Sequence, residues 1–325
     1  MATIIRKFGR LFYCAPIFLF LSLASSLAHS TDGSEASNKT QGEFVSLGKI
    51  NSITLPSPVA PVNIVVWLPP GYQASTTKYP VVYMQDGQNL FFKERSNFNK
   101  VWAADQSAAR VINTGKVQPF IIVGIDQPGV DRARTYMPNY VYESLPSDEK
   151  HALSQFQISS NLSDQYLEFI VKELKPLIDN KFRTLPDAEH TAIIGSSMGG
   201  LISLYAIAQY PTIFGKAGCV STHWPLGDPR SLGNQPNKAI IAAWEQFTLI
   251  KLGKPNHRVI WFDHGTETLD SLYEPYQLAV DKALRDNHWV QGKDFESKVY
   301  PGQAHEENAW ASRLDEIFLF LWAKH

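Results

Sequence analysis

The chain has 325 residues, of which 44% are hydrophobic and 19% charged, enough to bury most of its apolar surface in one large domain or two small ones. Lys and Arg number 30 against 31 Asp and Glu. There is thus no excess positive field to hold a polyphosphate and no acidic tail to mimic one, which argues against a nucleic-acid partner.

The first residues are organised differently from the rest. Arg6, Lys7 and Arg10 form a basic start, residues 11–27 are almost wholly apolar, and Ser26 and Ala28 are small residues at the positions a signal peptidase inspects. Residues 1–28 are therefore expected to be a secretory signal peptide, 29–42 a flexible polar start to the mature protein, and 43–325 a single catalytic domain. The apolar stretch also approaches the ~20 residues that span a bilayer, so an uncleaved anchor is the alternative. Cleavage implies export to the periplasm or beyond, with no membrane attachment. It also removes Cys14 and leaves Cys219 alone, so no intramolecular disulfide can form and Cys219 is expected to be a small buried hydrophobe.

Past the leader, strand-like apolar runs occupy residues 62–68, 81–84, 120–125, 190–194, 217–220, 259–262 and 295–300. Amphipathic helical patterns fall at 164–181, 201–210, 239–252, 273–287 and 310–322; in the first of these Tyr166, Leu167, Ile170, Val171, Leu174, Leu177 and Ile178 line one face. Strand followed by helix, repeatedly, predicts a mostly parallel sheet covered on both faces. The first two runs have no helix between them and predict an antiparallel start. Residues 128–160, rich in Pro, Ser and charge, read as an insertion above the sheet.

After the run at 190–194 the chain reads Gly195-Ser196-Ser197-Met198-Gly199-Gly200 and enters a helical pattern. Glycines flanking a serine at a strand-to-helix turn permit the strained conformation in which a nucleophile is held. At the helix N-terminus, free amides and the helix dipole favour an oxyanion, with the amide of Met198 as one donor.

A serine hydroxyl needs a base, and the base a carboxylate, expected in the order serine, acid, histidine on loops after the late strands. His305 fits, following the run at 295–300 through Pro301-Gly302-Gln303-Ala304; His264 is its rival at the end of the preceding strand. For the acid, residues 263–270 offer Asp263, Glu267 and Asp270. Asp270 also reads as the N-cap of a helix beginning near Ser271.

Four segments together carry a resemblance: Pro80-Val-Val-Tyr-Met-Gln-Asp-Gly-Gln-Asn-Leu-Phe, the elbow at Ser197, Gly265-Thr-Glu-Thr-Leu-Asp270, and Pro301-Gly-Gln-Ala-His305. The sequence resembles the putative-esterase branch of the α/β-hydrolases, which includes enterochelin esterases, feruloyl and acetyl xylan esterases, S-formylglutathione hydrolases of the esterase D type, and mycolyl transferases. The resemblance implies an α/β-hydrolase fold and a serine ester hydrolase acting through an acyl-enzyme, with Ser197, His305 and Asp270 as catalytic residues and Glu267 as the alternative acid. By similarity to the mycolyl transferases it implies that the amide of Gln88 supplies the second oxyanion donor, with Asp86 and Gly87 shaping the turn.

An acyltransferase using the same acyl-enzyme, or a silent binding module on the same fold, are the other readings. His305-Glu306-Glu307-Asn308-Ala309 begins like a zinc motif but lacks the second histidine one helical turn on, and no phosphate-binding glycine loop is present, so neither a metal nor a cofactor is expected. Trp102, Arg132, Arg134, Tyr136, His223 and Trp224 fall on loops at the predicted sheet edge. An aromatic rim with guanidinium groups there would suit small-molecule esters of siderophore, aryl or sugar-linked type.

Overall fold

The computed structural model describes residues 48–58, 61–154, 161–228 and 235–322. The expected leader and flexible start lie outside the described residues. Eight strands of the described residues form one sheet in the order β1-β2-β4-β3-β5-β6-β7-β8. They are β1 (Lys49–Leu55), β2 (Val62–Leu68), β3 (Val81–Gln85), β4 (Ile121–Ile125), β5 (Thr191–Ser196), β6 (Lys216–Val220), β7 (Val259–Gly265) and β8 (Phe295–Tyr300). β2 runs antiparallel to β1 and β4, and every later pairing is parallel.

All seven expected strands are present, and the antiparallel start is real, although β2 pairs with β4 while β3 lies inside against β5. The strand not expected is β1. It sits at the sheet edge with no fully buried residue, so its sequence has no continuous apolar run to reveal it.

Successive residues of a strand point to opposite faces, and both faces here are dry. Ile64, Val66, Tyr83 and Ile193 join one core cluster and Val65, Trp67, Val82 and Ile194 the other. The second cluster is closed by α1 (Ala104–Asn113) and α10 (Glu307–Trp322). The first is closed by α2 (Arg132–Tyr136), α3 (Asn139–Ser144), α4 (Ser147–Ser154), α5 (Ser163–Phe169), α6 (Lys175–Lys181), α7 (Met198–Gln209), α8 (Lys238–Gln246) and α9 (Glu274–Asp286). α5 continues into α6 through one π-helical stretch, Ile170–Leu174. The segment expected as an insertion contains α2 to α4, and it contributes Tyr136, Val141, Leu145 and Leu153 to the core. Cys219 is buried, as expected. No helix of the described residues is long and apolar enough to cross a membrane.

Candidate active site

The parallel strands end at one edge of the sheet, and the elbow follows β5 there. Ser197 joins β5 to α7 with φ 57° and ψ −123°, a conformation L-residues rarely adopt. Its backbone is fixed on several sides: its N–H donates to the Val220 carbonyl at 2.9 Å, and its own carbonyl accepts from Gly200 at 3.0 Å and from His223 at 3.1 Å. Gly195 is required by contact. A Cβ on it would lie 2.4 Å from the Gly199 carbonyl oxygen.

His305 follows β8, its N–H donating to Thr268 Oγ1 at 2.8 Å. Its Nδ1 lies 2.6 Å from Asp270 Oδ1. A carboxylate only accepts, so Nδ1 carries a proton, and in the neutral imidazole it is Nε2 that keeps the lone pair. Tyr273 and Trp310 pack edge-on against the imidazole, with centroids at 5.7 and 5.1 Å. Asp270 is fully buried. Burial pushes its carboxyl up, but His305, the Ser221 hydroxyl and the Gly265 amide together hold it below the ordinary carboxylate value.

Asp270 does not cap a helix, contrary to its simpler reading: α9 begins at Glu274, and the carboxylate faces inward. Glu267 is exposed, and its carboxylate has no hydrogen bond among the described residues. His264 is buried within β7, with Nδ1–H donating to the Gly265 carbonyl at 2.7 Å. Asp263 is buried and ion-paired to Arg313 at 2.8 Å.

Ser197 and His305 both neighbour His223, yet no hydrogen bond joins Ser197 Oγ to His305 among the described residues. Such bonds in a ligand-free site commonly tighten only around substrate.

The loop after β3 closes the other side. Asp86 stands at φ 55°, its carboxylate gripped by Arg132 through Nε at 2.8 Å and Nη2 at 2.7 Å. Gln88 accepts the Gln127 N–H on its side-chain oxygen at 3.1 Å. The backbone N–H groups of Gln88 and Met198 find no acceptor among the described residues. That of Met198, in the first turn of α7, is adjacent to Ser197 and is a free donor of the kind that can receive an oxyanion.

The expected rim differs. Tyr136 and Trp224 are fully buried and Trp102 nearly so: Trp224 packs on Trp244 and Phe262, and Trp102 on Trp310. His223 is buried with both nitrogens engaged, Nε2–H donating to the Gly227 carbonyl and Nδ1 accepting from the Tyr273 hydroxyl. Arg132 is committed to Asp86 and Arg134 to Asp131 at 2.6 Å. These side chains are buried or already paired, and none is a free aromatic or cationic contact. Exposed apolar side chains at this edge are instead Phe98 (84%) and Val130 (88%), on the loops after β3 and β4.

Ligand-type atoms of Asp187, Glu189 and His190 converge within 4.8 Å at the opposite end of β5, where Asp187 already pairs with His190.

The family model described as Putative esterase matches residues 57–321. The chain belongs to this Putative esterase family. In sequence the chain is 28% identical over 160 residues to YbbA, an uncharacterized Bacillus subtilis protein, a match covering 49% of this chain and 56% of that one. It is 26% identical over 175 residues to an endo-1,4-beta-xylanase/feruloyl esterase of Xylanibacter ruminicola, covering 51% and 21%. The chain thus spans about half, or less, of the length of the curated relatives it matches.

Its fold is that of an IroE-like serine hydrolase from Shewanella oneidensis, with a TM-score of 0.60, 20% identity and 84% and 80% of the two chains covered. It is likewise that of the enterobactin esterase FES of Shigella flexneri, with a TM-score of 0.59, 15% identity and 84% and 59% covered. This is the α/β-hydrolase fold.

Several residues around Asp270 are not signalled by the sequence. Ser221, Tyr273, Trp310 and Arg313 all reach Asp270 or its neighbours. One signal existed: Arg313 is a charge set among the apolar residues Trp310, Leu314 and Ile317 on the buried face of α10.

Proposed function

We propose that the protein is a serine carboxylic-ester hydrolase working through an acyl-enzyme, with Ser197 as nucleophile, His305 as general base and Asp270 as its carboxylate partner. The observation that carries this reading is the 2.6 Å contact between His305 Nδ1 and Asp270 Oδ1 on the loops beside the strained elbow. It leaves Nε2 unprotonated, the form that takes a proton.

In this mechanism Ser197 Oγ attacks the ester carbonyl carbon as its proton passes to His305 Nε2. The carbonyl oxygen becomes an oxyanion received by the amides of Gln88 and Met198. Asp270 stabilises the imidazolium. Collapse breaks the bond to the alcohol, which leaves with the proton from Nε2, and a water activated by the same nitrogen releases the acid.

The substrate class is siderophore, aryl or sugar-linked esters. The names of a relative, a feruloyl esterase, and of a structural neighbour, an enterobactin esterase, support it. The exposed Phe98 and Val130 offer apolar surface that an aryl group can cover. Arg132 and Arg134 are already paired with Asp86 and Asp131, so the substrate class does not require an anionic group. The enzyme works outside the cytoplasm once residues 1–28 are removed, which the intact mass of protein recovered from the periplasm or medium tests.

Ser197→Ala and His305→Ala are each expected to lower esterase turnover by about 10³-fold or more, with the double variant little worse than either. Substantial turnover by Ser197→Ala would sink the reading. A chain-length series of aryl esters, run beside a siderophore and a feruloyl sugar, tests the substrate class, and a preference for long acyl chains counts against it.

A further inference from the structure

The segment after β6 touches both halves of the site that no side-chain hydrogen bond joins. Val220 accepts the Ser197 N–H, and His223 donates its N–H to the Ser197 carbonyl. Between them, Ser221 Oγ lies 2.6 Å from Asp270 Oδ2. Four residues therefore span from the backbone of the elbow to the carboxylate behind His305.

The direction of the Ser221 hydrogen bond is set by its other partners. Arg313 Nη2–H donates to Ser221 Oγ at 2.6 Å and Trp310 Nε1–H at 3.0 Å. A hydroxyl has two lone pairs and one proton. Both lone pairs are taken by groups that can only donate, so the proton is left for Asp270. The Gly265 N–H also donates to Oδ2 at 2.6 Å, so this oxygen is held twice and Oδ1 is turned to His305.

Arg313 is itself immobilised. It is buried, paired with Asp263 Oδ1 at 2.8 Å and bonded through Nη1 to Gln303 Oε1 at 3.1 Å. Asp263 accepts further bonds from Trp261 Nε1 at 2.7 Å and from the Ser221 N–H at 3.1 Å. A buried cation with its counter-ion in place has little freedom to shift, so the arrangement transmits the position of α10 and β7 to Ser221. Ser221 stands at φ 43°, a backbone conformation that persists only where its surroundings enforce it.

We infer that Ser221, oriented by Arg313 and Trp310, is a positioning residue of this esterase: its hydroxyl proton fixes Asp270 so that one carboxylate oxygen serves His305 while the segment 220–223 sets the distance to Ser197. The inference rests on the Ser197–His305–Asp270 reading above. Ser221 touches no reacting atom. Its effect passes through Asp270.

The test is Ser221→Ala, assayed for kcat and KM across pH with an aryl ester. The expected result is a fall in kcat of about 10- to 100-fold, the range in which one hydrogen bond to a charged group is felt. KM stays within about twofold, because substrate contacts are unchanged. The acid limb of the pH–rate profile moves to higher pH: without the Ser221 proton, Asp270 carries more of its charge toward the imidazole and the pair holds its proton longer. The other titratable groups that face the pair are Asp263 on β7, Arg313 on α10, His223 after β6 and Tyr273 before α9, and the variant leaves all of them in place.

A serine that only packs would alter folding yield or melting temperature and leave the acid limb where it was. Wild-type kcat and an unmoved limb overturn the inference. If Ser221→Ala does not fold, Ser221→Cys is read in the same way. Its thiol is a weaker donor, so a smaller shift in the same direction supports the inference and a wild-type profile overturns it. Ser197→Ala and His305→Ala in the same assay separate the two levels. If they stay active, the underlying reading falls; if they are dead while Ser221→Ala matches wild type, this inference alone falls.

Discussion

Arg132 grips Asp86 with two parallel hydrogen bonds, Nε to Oδ1 at 2.8 Å and Nη2 to Oδ2 at 2.7 Å. Burial works against the guanidinium charge, and the Asp86 carboxylate more than offsets it, so the Arg132 pKa is held above its ordinary value. Asp86 begins the turn that presents the Gln88 amide, and Arg132 ties that turn to the interior wall at Tyr136, over whose ring it lies at 5.0 Å. Arg132→Lys keeps the charge and loses the fork. The expected outcome is a kcat about 10- to 100-fold lower, a loss below that of deleting an oxyanion donor outright, with the fold retained. Steady-state kinetics beside a circular dichroism melt checks it. Unchanged kcat in a folded variant would mean that the Asp86 turn does not set the oxyanion site.

Asp270 and Glu267 are distinguishable by the same kinetics. Asn at 270 turns an amide N–H toward His305 Nδ1 and imposes the wrong tautomer, so Asp270→Asn is expected to lower kcat by about 10³- to 10⁴-fold. Glu267 is exposed, and its carboxylate has no hydrogen-bond partner among the described residues, so Glu267→Gln is expected to stay within about twofold of wild type. The reverse pattern would move the acid to Glu267.

What was legible in the chain was what is local. The elbow is a run of six residues between an apolar strand and a helix, and His305 follows the last strand through a loop read directly from Pro301 and Gly302. The acid was not decided by its neighbours in sequence, because Asp263 and Asp270 share one short stretch and differ in partners that are far away. Arg313 on α10 claims Asp263, while Ser221 after β6 and His305 after β8 claim Asp270. The aromatic rim failed for a related reason. A tryptophan in a loop reads alike whether it faces solvent or core, and Trp224 turns inward because Trp244 of α8 and Phe262 of β7 meet it there. The edge strand β1 was missed because one-sided, half-exposed strands lack the continuous apolar run that marks the buried ones.

Gly195 tests the elbow's packing independently of its chemistry. A Cβ there would stand 2.4 Å from the Gly199 carbonyl oxygen and 2.5 Å from its carbon, both backbone atoms of the turn and of α7 that cannot yield separately. Gly195→Ala is expected to destabilise the protein by more than about 2 kcal/mol and to abolish activity by displacing Ser197. The midpoint of urea unfolding checks the first part. A variant with the wild-type midpoint and full turnover would show that the elbow has room that its backbone geometry denies.

His223 gives the protein a stability that depends on pH in a defined window. Burial first, and His305 second, lower its pKa from 6.5 to about 4. In the unfolded chain the imidazole takes up a proton as pH falls below 6.5, whereas in the folded chain Nε2–H is spent on Gly227 and Nδ1 accepts from Tyr273, so protonation waits until about pH 4. The unfolded state therefore binds more protons across that interval. Stability is full above pH 6.5, falls as pH drops toward 4, and loses on the order of 3 kcal/mol from this residue over the window. Asp270 contributes in a lower one: its carboxyl is held below 3.8, so its share is lost only as pH falls further. Glutamine can make both His223 contacts, amide N–H to Gly227 and amide oxygen from Tyr273, without titrating. Urea midpoints followed by circular dichroism from pH 7.5 to 4 should fall for the wild type and fall less steeply for His223→Gln, the two curves separating below pH 6.5. Parallel curves would mean that His223 takes up its proton in the folded protein as readily as in the unfolded chain.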